Sequence, residues 1–382
     1  MTTVDGVLEY YGCNFFKQRL ILSILSGKPI RIKNIRPAGK GLQEFEVSLI
    51  RLVDKITNGT TIEISSNGTE IYFSPGFLEG GPVQHECNVQ RGIGYYLELL
   101  VAVGPFCKNP LKAVLNGVTN SSESVSVDTI KSSTLKVLKR FLIVDEGLDI
   151  MINKRGLMPL GGGEVFFKCP VKNNFKAIQV MNFGKVKRIR GIVYSCKVPS
   201  SVMNRTVEAA KGVLLNFIPD IYIYTDQNKG KSSGKSPGYG IQLTAETNND
   251  VFYSAEGVSQ TLSDTNKNPT VPEDLGISTA HKLIEEIFRG GCVDSSCQWI
   301  VTLFMALSQK DVSKYVTGML SEYTVAMLQH LKEFFDVTFK IDYHKDDDEM
   351  DDDEEENDEN SSPKVSLTCV GIGYKNTNKR IT

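Results

Sequence analysis

Between Arg155 and Phe167 the chain reads Arg-Gly-Leu-Met-Pro-Leu-Gly-Gly-Gly-Glu-Val-Phe-Phe, with three successive glycines after a proline and directly before an apolar strand. Glycine accepts positive φ, so the run can make a tight connection with no ligand, or it can let a ligand come close to the backbone. A second stretch, Gly234-Lys235-Ser236, ends like a phosphate-binding loop. The glycine such a loop needs five residues earlier is Lys229, and Pro237 stands where its helix would begin. Its lysines, Lys229, Lys231 and Lys235, read instead as a mobile basic surface. Lys185, Lys187, Arg188 and Arg190 put four cations within six residues. On a strand, Lys185 and Lys187 share one face and Arg188 and Arg190 the other, either as a solvated surface or as contacts to phosphates. Eight cysteines stand singly at 13, 87, 107, 169, 196, 292, 297 and 369, and the four histidines are dispersed. Free thiols in a reducing compartment are expected, and no metal site.

These groups belong to a chain of 382 residues whose net charge of −2 is unevenly spread. Of its 45 acids, 12 lie between Asp346 and Glu359, with no lysine or arginine among them. The remainder carries 33 acids against 43 bases. That surplus, about ten positive charges, suits a nucleic-acid partner better than the overall charge does. No core can be built from the acidic run, so residues 345–363 are expected to form a disordered insertion between two strands. It is either a solubilising loop or a mimic of nucleic acid that shields the basic body. No apolar run reaches the length of a membrane span, and the N-terminus lacks the features of a signal peptide.

Hydrophobic periodicity predicts a mixed α/β (α+β) fold of repeated βα units, with three or more βαβαββ-like repeats and a period near 80 residues. The first has helices at 14–26 and 42–57, a strand at 30–36, and strands at 61–65 and 70–74 around the hairpin signal Asn67-Gly68. The second has helices at 93–103 and 127–141 and strands at 112–118, 148–153 and 164–168. The third has helices at 296–308 and 322–335 and strands at 337–343 and 365–371. Residues 185–270 break the pattern, reading strand, helix, strand, loop, strand, strand. They are expected to form a smaller α/β domain inserted between the second and third units of a discontinuous large domain, 1–184 and 271–382.

The triple-glycine stretch resembles the Pro-x-Gly-Gly-Gly signature of the RNA 3'-terminal phosphate cyclase family, and the resemblance runs from about Tyr10 to Gly373. It is closest to the eukaryotic, non-cyclase branch of that family. Segments carrying the likeness are Gly92-Ile93-Gly94-Tyr95-Tyr96-Leu97-Glu98, Lys187–Gly191, Phe217–Asp226 and Arg289–Ser295. Active members form 2',3'-cyclic phosphate ends on RNA through a histidine–adenylate. Matched residue by residue, this chain lacks that machinery. The nucleophilic histidine, from a Ser-Cys-His-like stretch, falls at Tyr323. The Tyr-Leu-Ala-Asp-Gln motif that holds the adenylate falls on Ser296-Cys297-Gln298-Trp299-Ile300. The Glu, Gln and Arg of the Glu-Gly-Gly-Gly-Gln-x-x-Arg motif fall on Tyr10, Asn14 and Lys17, and an adenine-side Gln on Leu99.

What the resemblance leaves in the cleft is cationic: Lys17, Arg36, Lys40 and Arg91, able to hold a phosphate and opposed by no acid at the matched positions. With Lys185, Lys187, Arg188 and Arg190 they form the expected anion- and RNA-binding set. The resemblance implies a catalytically inactive relative acting in ribosome biogenesis in the nucleus and nucleolus. It would have no cofactor, be monomeric before assembly, and bind precursor rRNA, the small-subunit pre-ribosome and a large nucleolar GTPase. The alternative from another class is an endoribonuclease that cleaves precursor rRNA with Tyr323, His330 and Lys332 as its acid, base and charge-stabilising groups. An active cyclase is the least favoured reading, because His330 lies seven residues beyond Tyr323 and does not replace the nucleophile.

Overall fold

The computed structural model describes residues 3, 4, 6–142, 147–260, 269–344 and 362–378; the acidic run falls outside the described residues. The first unit comprises β1 (Thr3–Val4), β2 (Val7–Tyr11), α1 (Phe16–Ser26), β3 (Ile30–Lys33), α2 (Glu44–Ile56), β4 (Thr57–Asn58), β5 (Thr61–Ile64), β6 (Ile71–Ser74) and β7 (Phe77–Leu78). The second has β8 (Gly80–Glu86), α3 (Ile93–Val103), β9 (Asn109–Gly117), α4 (Val127–Thr129), a π turn at Ile130–Thr134, α5 (Leu135–Phe141), β10 (Asp149–Lys154) and β11 (Gly163–Cys169). The third begins with β12 (Gln179–Val180) and is then interrupted by an inserted segment. That segment holds β13 (Val186–Cys196), α6 (Ser200–Leu214), β14 (Ile221–Asn228), β15 (Gly238–Thr247), β16 (Phe252–Val258) and α7 (Pro272–Arg289). The third unit resumes with α8 (Gln298–Leu307), β17 (Val312–Thr317), α9 (Glu322–Phe335), β18 (Lys340–His344) and β19 (Lys364–Val370).

All three units share one topology. The first and second strands pair in parallel, and the fourth joins the second antiparallel and carries the third outside it: β2-β3-β6-β5, β8-β9-β11-β10 and β12-β17-β19-β18. The parallel pair requires a crossover, which α1, α3 and α8 supply. The insertion falls inside the third unit, between its first strand and first helix, rather than between the second and third units as expected. It also extends beyond residue 270. Helix α7 lies so close on α6 that a Cβ at Gly276 would stand 2.5 Å from the Thr206 carbonyl oxygen. Leu275, Ala280 and Leu283 of α7 are buried along with Met203, Val207, Ala210 and Leu214 of α6. Burying each leucine or methionine there contributes roughly 1.5–3 kcal/mol.

The units share one apolar core. Tyr374, half-buried at its margin, leads into it through Phe106, Phe175, Phe304 and Phe141, with ring centroids 4.9 to 5.7 Å apart between successive members in that order. The helix expected as one piece over 127–141 is opened by its π turn. There Ser132 meets Gln242 and Thr244 of the inserted sheet, and Ser133 donates to Asp294 before α8. The cysteines are all free and most are buried. Among the described residues no helix is long and apolar enough to cross a membrane, and no cluster of His, Cys, Asp or Glu could hold a metal ion.

Candidate functional site

Helix α9 starts at a serine cap, Ser321 Oγ accepting the Thr324 N–H at 3.3 Å. Its first turn carries Tyr323 inward. The ring lies between Phe15 and Trp299, with centroids 6.0 and 5.9 Å away. The phenol oxygen is buried without a partner, and burial pushes its pKa well up, so no phenolate forms. Two turns on, His330 is buried against Tyr10 and Phe15, at 5.5 and 6.0 Å. Gln18 joins the two positions: its Nε2 donates to the Tyr323 carbonyl at 2.8 Å, and its Oε1 lies 3.1 Å from His330 Nδ1. Burial, then the charge of Arg19, lowers the His330 pKa to about 4, so the imidazole is neutral. Tyr10 donates to Glu333 at 2.7 Å beneath the Arg19 guanidinium.

The place matched to the cyclase nucleophile is thus an aromatic wall. Lys332 is exposed while His330 points into the core, so Tyr323, His330 and Lys332 do not converge on one substrate position as the nuclease alternative requires. The residues at the lost adenylate motif are also committed to structure. Gln298 donates to Thr317 Oγ1 and the Met319 carbonyl and accepts from the Ser321 N–H and Thr324 Oγ1, so it braces the start of α9. Cys297 is buried 3.3 Å from Thr134 Oγ1, Leu99 lies in the core, and Asn14 faces solvent.

Lys17, Arg36 and Arg91 do come together, around Tyr95 and Phe45. Lys17 Nζ lies 4.6 Å from the Tyr95 ring centre, Arg91 lies 4.9 Å from that of Phe45, and the two rings meet edge to face at 5.5 Å. Each of the three has an acidic partner that is not among the matched motif positions. Lys17 is buried in an ion pair with Glu98. Arg36 makes a two-pronged bond to Glu46 at 2.7 and 2.9 Å, and Glu46 also accepts the Gln43 N–H as the helix cap of α2. Arg91 donates to the Glu123 carbonyl at 2.6 Å and lies 3.4 Å from its carboxylate. Lys40 is exposed. Glu98 closes the Gly92–Glu98 stretch and Glu46 lies on α2, and sequence reading assigned neither a role.

The basic run is likewise matched by acids. A bulge between Val186 and Arg188 breaks the expected alternation, so Lys187 and Arg188 both reach Glu246, at 2.8 Å each. Lys187 also lies 3.5 Å from Asp250, and Arg190 binds Asp220 at 2.8 and 3.1 Å. Lys185 begins the segment, its N–H bonded to the Asn248 side chain at 2.9 Å.

The glycine runs prove to be one joint. Gly161 and Gly162 have φ of 61° and 80°, and a Cβ at Gly163 would press on the Gly156 backbone at 2.7 Å. The Gly234-Lys235-Ser236 loop docks its backbone on this turn, while the side chains of Lys229, Lys231 and Lys235 remain exposed. Lys235 N–H donates to the Gly161 carbonyl at 2.9 Å, Leu160 N–H donates to Ser236 Oγ at 3.0 Å, and a Cβ at Gly234 would stand 2.6 Å from the Gly161 oxygen. Beside it lies a group that the sequence reading left unassigned. Arg155 is buried, binds Asp128 with two bonds of 2.8 Å and Asp226 at 2.6 Å, and lies 4.5 Å from the Tyr194 ring centre. Asp128 belongs to the second unit, and Asp226 and Tyr194 to the inserted sheet, so one guanidinium ties the two together.

Three βαβαββ units carrying an inserted four-stranded sheet, with an aromatic wall and ion pairs at the positions matched to the cyclase site, define the class of α/β protein. The chain belongs to the RNA 3'-terminal phosphate cyclase family, whose family model matches residues 8–341. It is 56% identical over 377 residues to the probable RNA 3'-terminal phosphate cyclase-like protein of Drosophila melanogaster, spanning 98% of this chain and 97% of that one. It is 50% identical over 383 residues to the RNA 3'-terminal phosphate cyclase-like protein of Homo sapiens, spanning all of both. With the rRNA processing protein rcl1 of Schizosaccharomyces pombe it shares 42% identity over 379 residues, 98% of each.

Proposed function

We propose that this chain is a catalytically inactive relative of the cyclases that acts in ribosome biogenesis. In this reading it binds precursor rRNA and a large nucleolar GTPase within the small-subunit pre-ribosome, in the nucleolus, during maturation of 18S rRNA. The observation that carries the first half is the environment of Tyr323. The position matched to the covalent nucleophile holds a protonated phenol, sealed by Phe15 and Trp299, and the nearest histidine is neutral and buried. The second half is supported by the relative named as an rRNA processing protein, which aligns along nearly the whole chain.

RNA contact falls to the cations nearest the surface. Lys40 is exposed, Arg91 has a loosely held and largely exposed carboxylate partner, and Lys187 and Arg188 share one glutamate at the strand bulge. The test is affinity purification of the tagged chain from nucleolar extract, followed by sequencing of the bound RNA and sedimentation. Small-subunit precursor rRNA and co-sedimentation with pre-ribosomes are expected. Cleavage of precursor rRNA by the purified chain, or absence of that RNA from the bound fraction, overturns the reading.

A further inference from the structure

Strand β14 is the outermost strand of the inserted sheet and pairs with β13 on one side. The Ile189 N–H bonds the Asp220 carbonyl, which sets the phase of this parallel ladder. Tyr222, Tyr224 and Asp226 turn their backbone groups toward β13, and Ile223 and Thr225 turn theirs outward. Among the described residues no backbone hydrogen bond reaches the outward groups of Ile223 and Thr225. Large apolar side chains gather at the same edge. Tyr222 and Tyr224 are 62% and 50% exposed, on the face opposite α6, with ring centroids 6.5 Å apart and planes 29° from parallel. Leu215 and Phe217, where α6 gives way to β14, are 56% and 46% exposed. An uncovered strand edge flanked by exposed apolar groups is a docking surface or an aggregation hazard.

We propose that β14 is a docking edge for an extended segment of a partner protein, which joins the inserted sheet as a fifth strand and lays apolar side chains at alternate positions against Tyr222 and Tyr224. The proposal does not depend on RNA binding. Outward N–H and C=O groups at every second residue are satisfied by a chain that offers both, as a peptide backbone does and a sugar–phosphate backbone does not. Charge points the same way. Arg190, the cation of β13 that runs alongside β14, is held by Asp220, and Asp226 is held by Arg155, while Lys187 and Arg188 lie before the pairing with β14 begins at Ile189. The edge is therefore close to neutral and offers little to a polyanion, so its complement is an uncharged, apolar-alternating strand.

The probe is a displayed library of random peptides about twelve residues long, enough to pair along the whole strand, selected on the full-length chain. Enriched peptides should carry apolar residues at every second position and slow hydrogen exchange at the amides of Ile223 and Thr225. Thr225→Pro removes an outward N–H that takes no part in the ladder, a change that sheet edges tolerate. It should weaken the selected peptides at least about tenfold, which corresponds to about 1.4 kcal/mol, with little change in melting temperature. Tyr222→Ser with Tyr224→Ser leaves the backbone intact and should weaken them too, so the proposal stays testable if the proline variant misfolds. Failure to enrich such peptides, binding to both variants as tight as to the wild type, or no exchange protection at Ile223 and Thr225 overturns it. So does an oligouridine probe whose binding is lost in the tyrosine variant, which would give the edge to nucleic acid. Self-association abolished by Thr225→Pro would give it to a second copy of the chain and also overturns it.

Discussion

Arg155→Met is expected to be among the most damaging single substitutions outside the apolar core. The side chain is buried, and its removal leaves Asp128, also buried, without a counter-charge. Removing one partner of such a pair costs about 3–5 kcal/mol. If the 382-residue chain unfolds as one unit, its unfolding entropy is about 0.8 kcal/mol per kelvin, so the melting temperature should fall by about 4–6 °C. The pH dependence separates this cause from simple loss of packing. Burial pushes the Asp128 pKa up, but the Arg155 charge and the hydrogen bonds from Arg155 and Asn120 outweigh it and hold the carboxyl below its ordinary 3.8. In the native chain that contribution is present above pH 3.8 and lost as the pH falls through the lower folded value. In the variant the opposing effects of Arg155 are gone and only the Asn120 hydrogen bond and the Lys131 charge remain against burial, so the carboxyl pKa rises and protonation relieves the buried charge. The stability gap between wild type and variant should therefore narrow as the pH is lowered. Adding Asp128→Asn to Arg155→Met should restore part of the loss at neutral pH. The assay is chemical denaturation from about pH 7 to about pH 4 for the wild type, the single variant and the double variant. A loss below about 1 kcal/mol, or a double variant no more stable than Arg155→Met alone, refutes the role given to this joint.

Three further outcomes are expected. With labelled ATP and divalent metal, neither the wild type nor Tyr323→His should carry label through a denaturing gel, because the substituted imidazole would enter a sealed aromatic site with the adenylate-holding groups also gone; a stable label on either contradicts this. His330, at about 4 in the fold and 6.5 when unfolded, takes up a proton more readily in the unfolded chain, so it should reduce stability by roughly 2 kcal/mol between about pH 7 and pH 5. His330→Asn should remove that part of the pH dependence, and parallel urea midpoints for the two proteins would refute it. Glu246→Gln releases Lys187 and Arg188 from their shared partner, so RNA affinity at low salt should rise. Its salt slope should steepen by about 0.7 for each additional phosphate bound, and an unchanged slope places RNA elsewhere.

The repeated units were legible because their helices and closing strands carry strong local signals, such as the apolar stripe of α2 and the Asn67-Gly68 hairpin. The first strand of each unit was missed for a physical reason. Val7–Tyr11, Gly80–Glu86 and Gln179–Val180 are short or contain glycine, proline and polar residues, and are fixed as strands by parallel partners along the chain. Helix α7 was missed despite a readable start, Pro272 followed by Glu273 and Asp274 in its first turn. With that helix unread, the inserted segment ended too early.

The cations were legible as residues, but their electrostatic setting was not. Lys17 finds Glu98 from another helix 81 residues away, and Arg91 finds Glu123 32 residues away; no local pattern encodes such pairs. Arg36 and Glu46 are the exception, since Gln43 with Glu46 three residues later has the spacing of a capping box, and a glutamate held at a helix start is within reach of the loop before it. The pairing changes what the old cleft can do. A cleft whose positive charge is unbalanced attracts an anion at any affinity its geometry allows. Here phosphate must first displace a carboxylate that already meets the arginine or lysine at hydrogen-bond distance, and for Lys17 it must do so in a buried site. Exchange is easiest where the carboxylate is exposed and its contact long, as at Arg91 and Glu123, and hardest at Lys17 and Glu98. If RNA does reach this cleft, it should therefore depend on Arg91 and Lys40 far more than on Lys17, an order of sensitivity that the residue types alone do not contain.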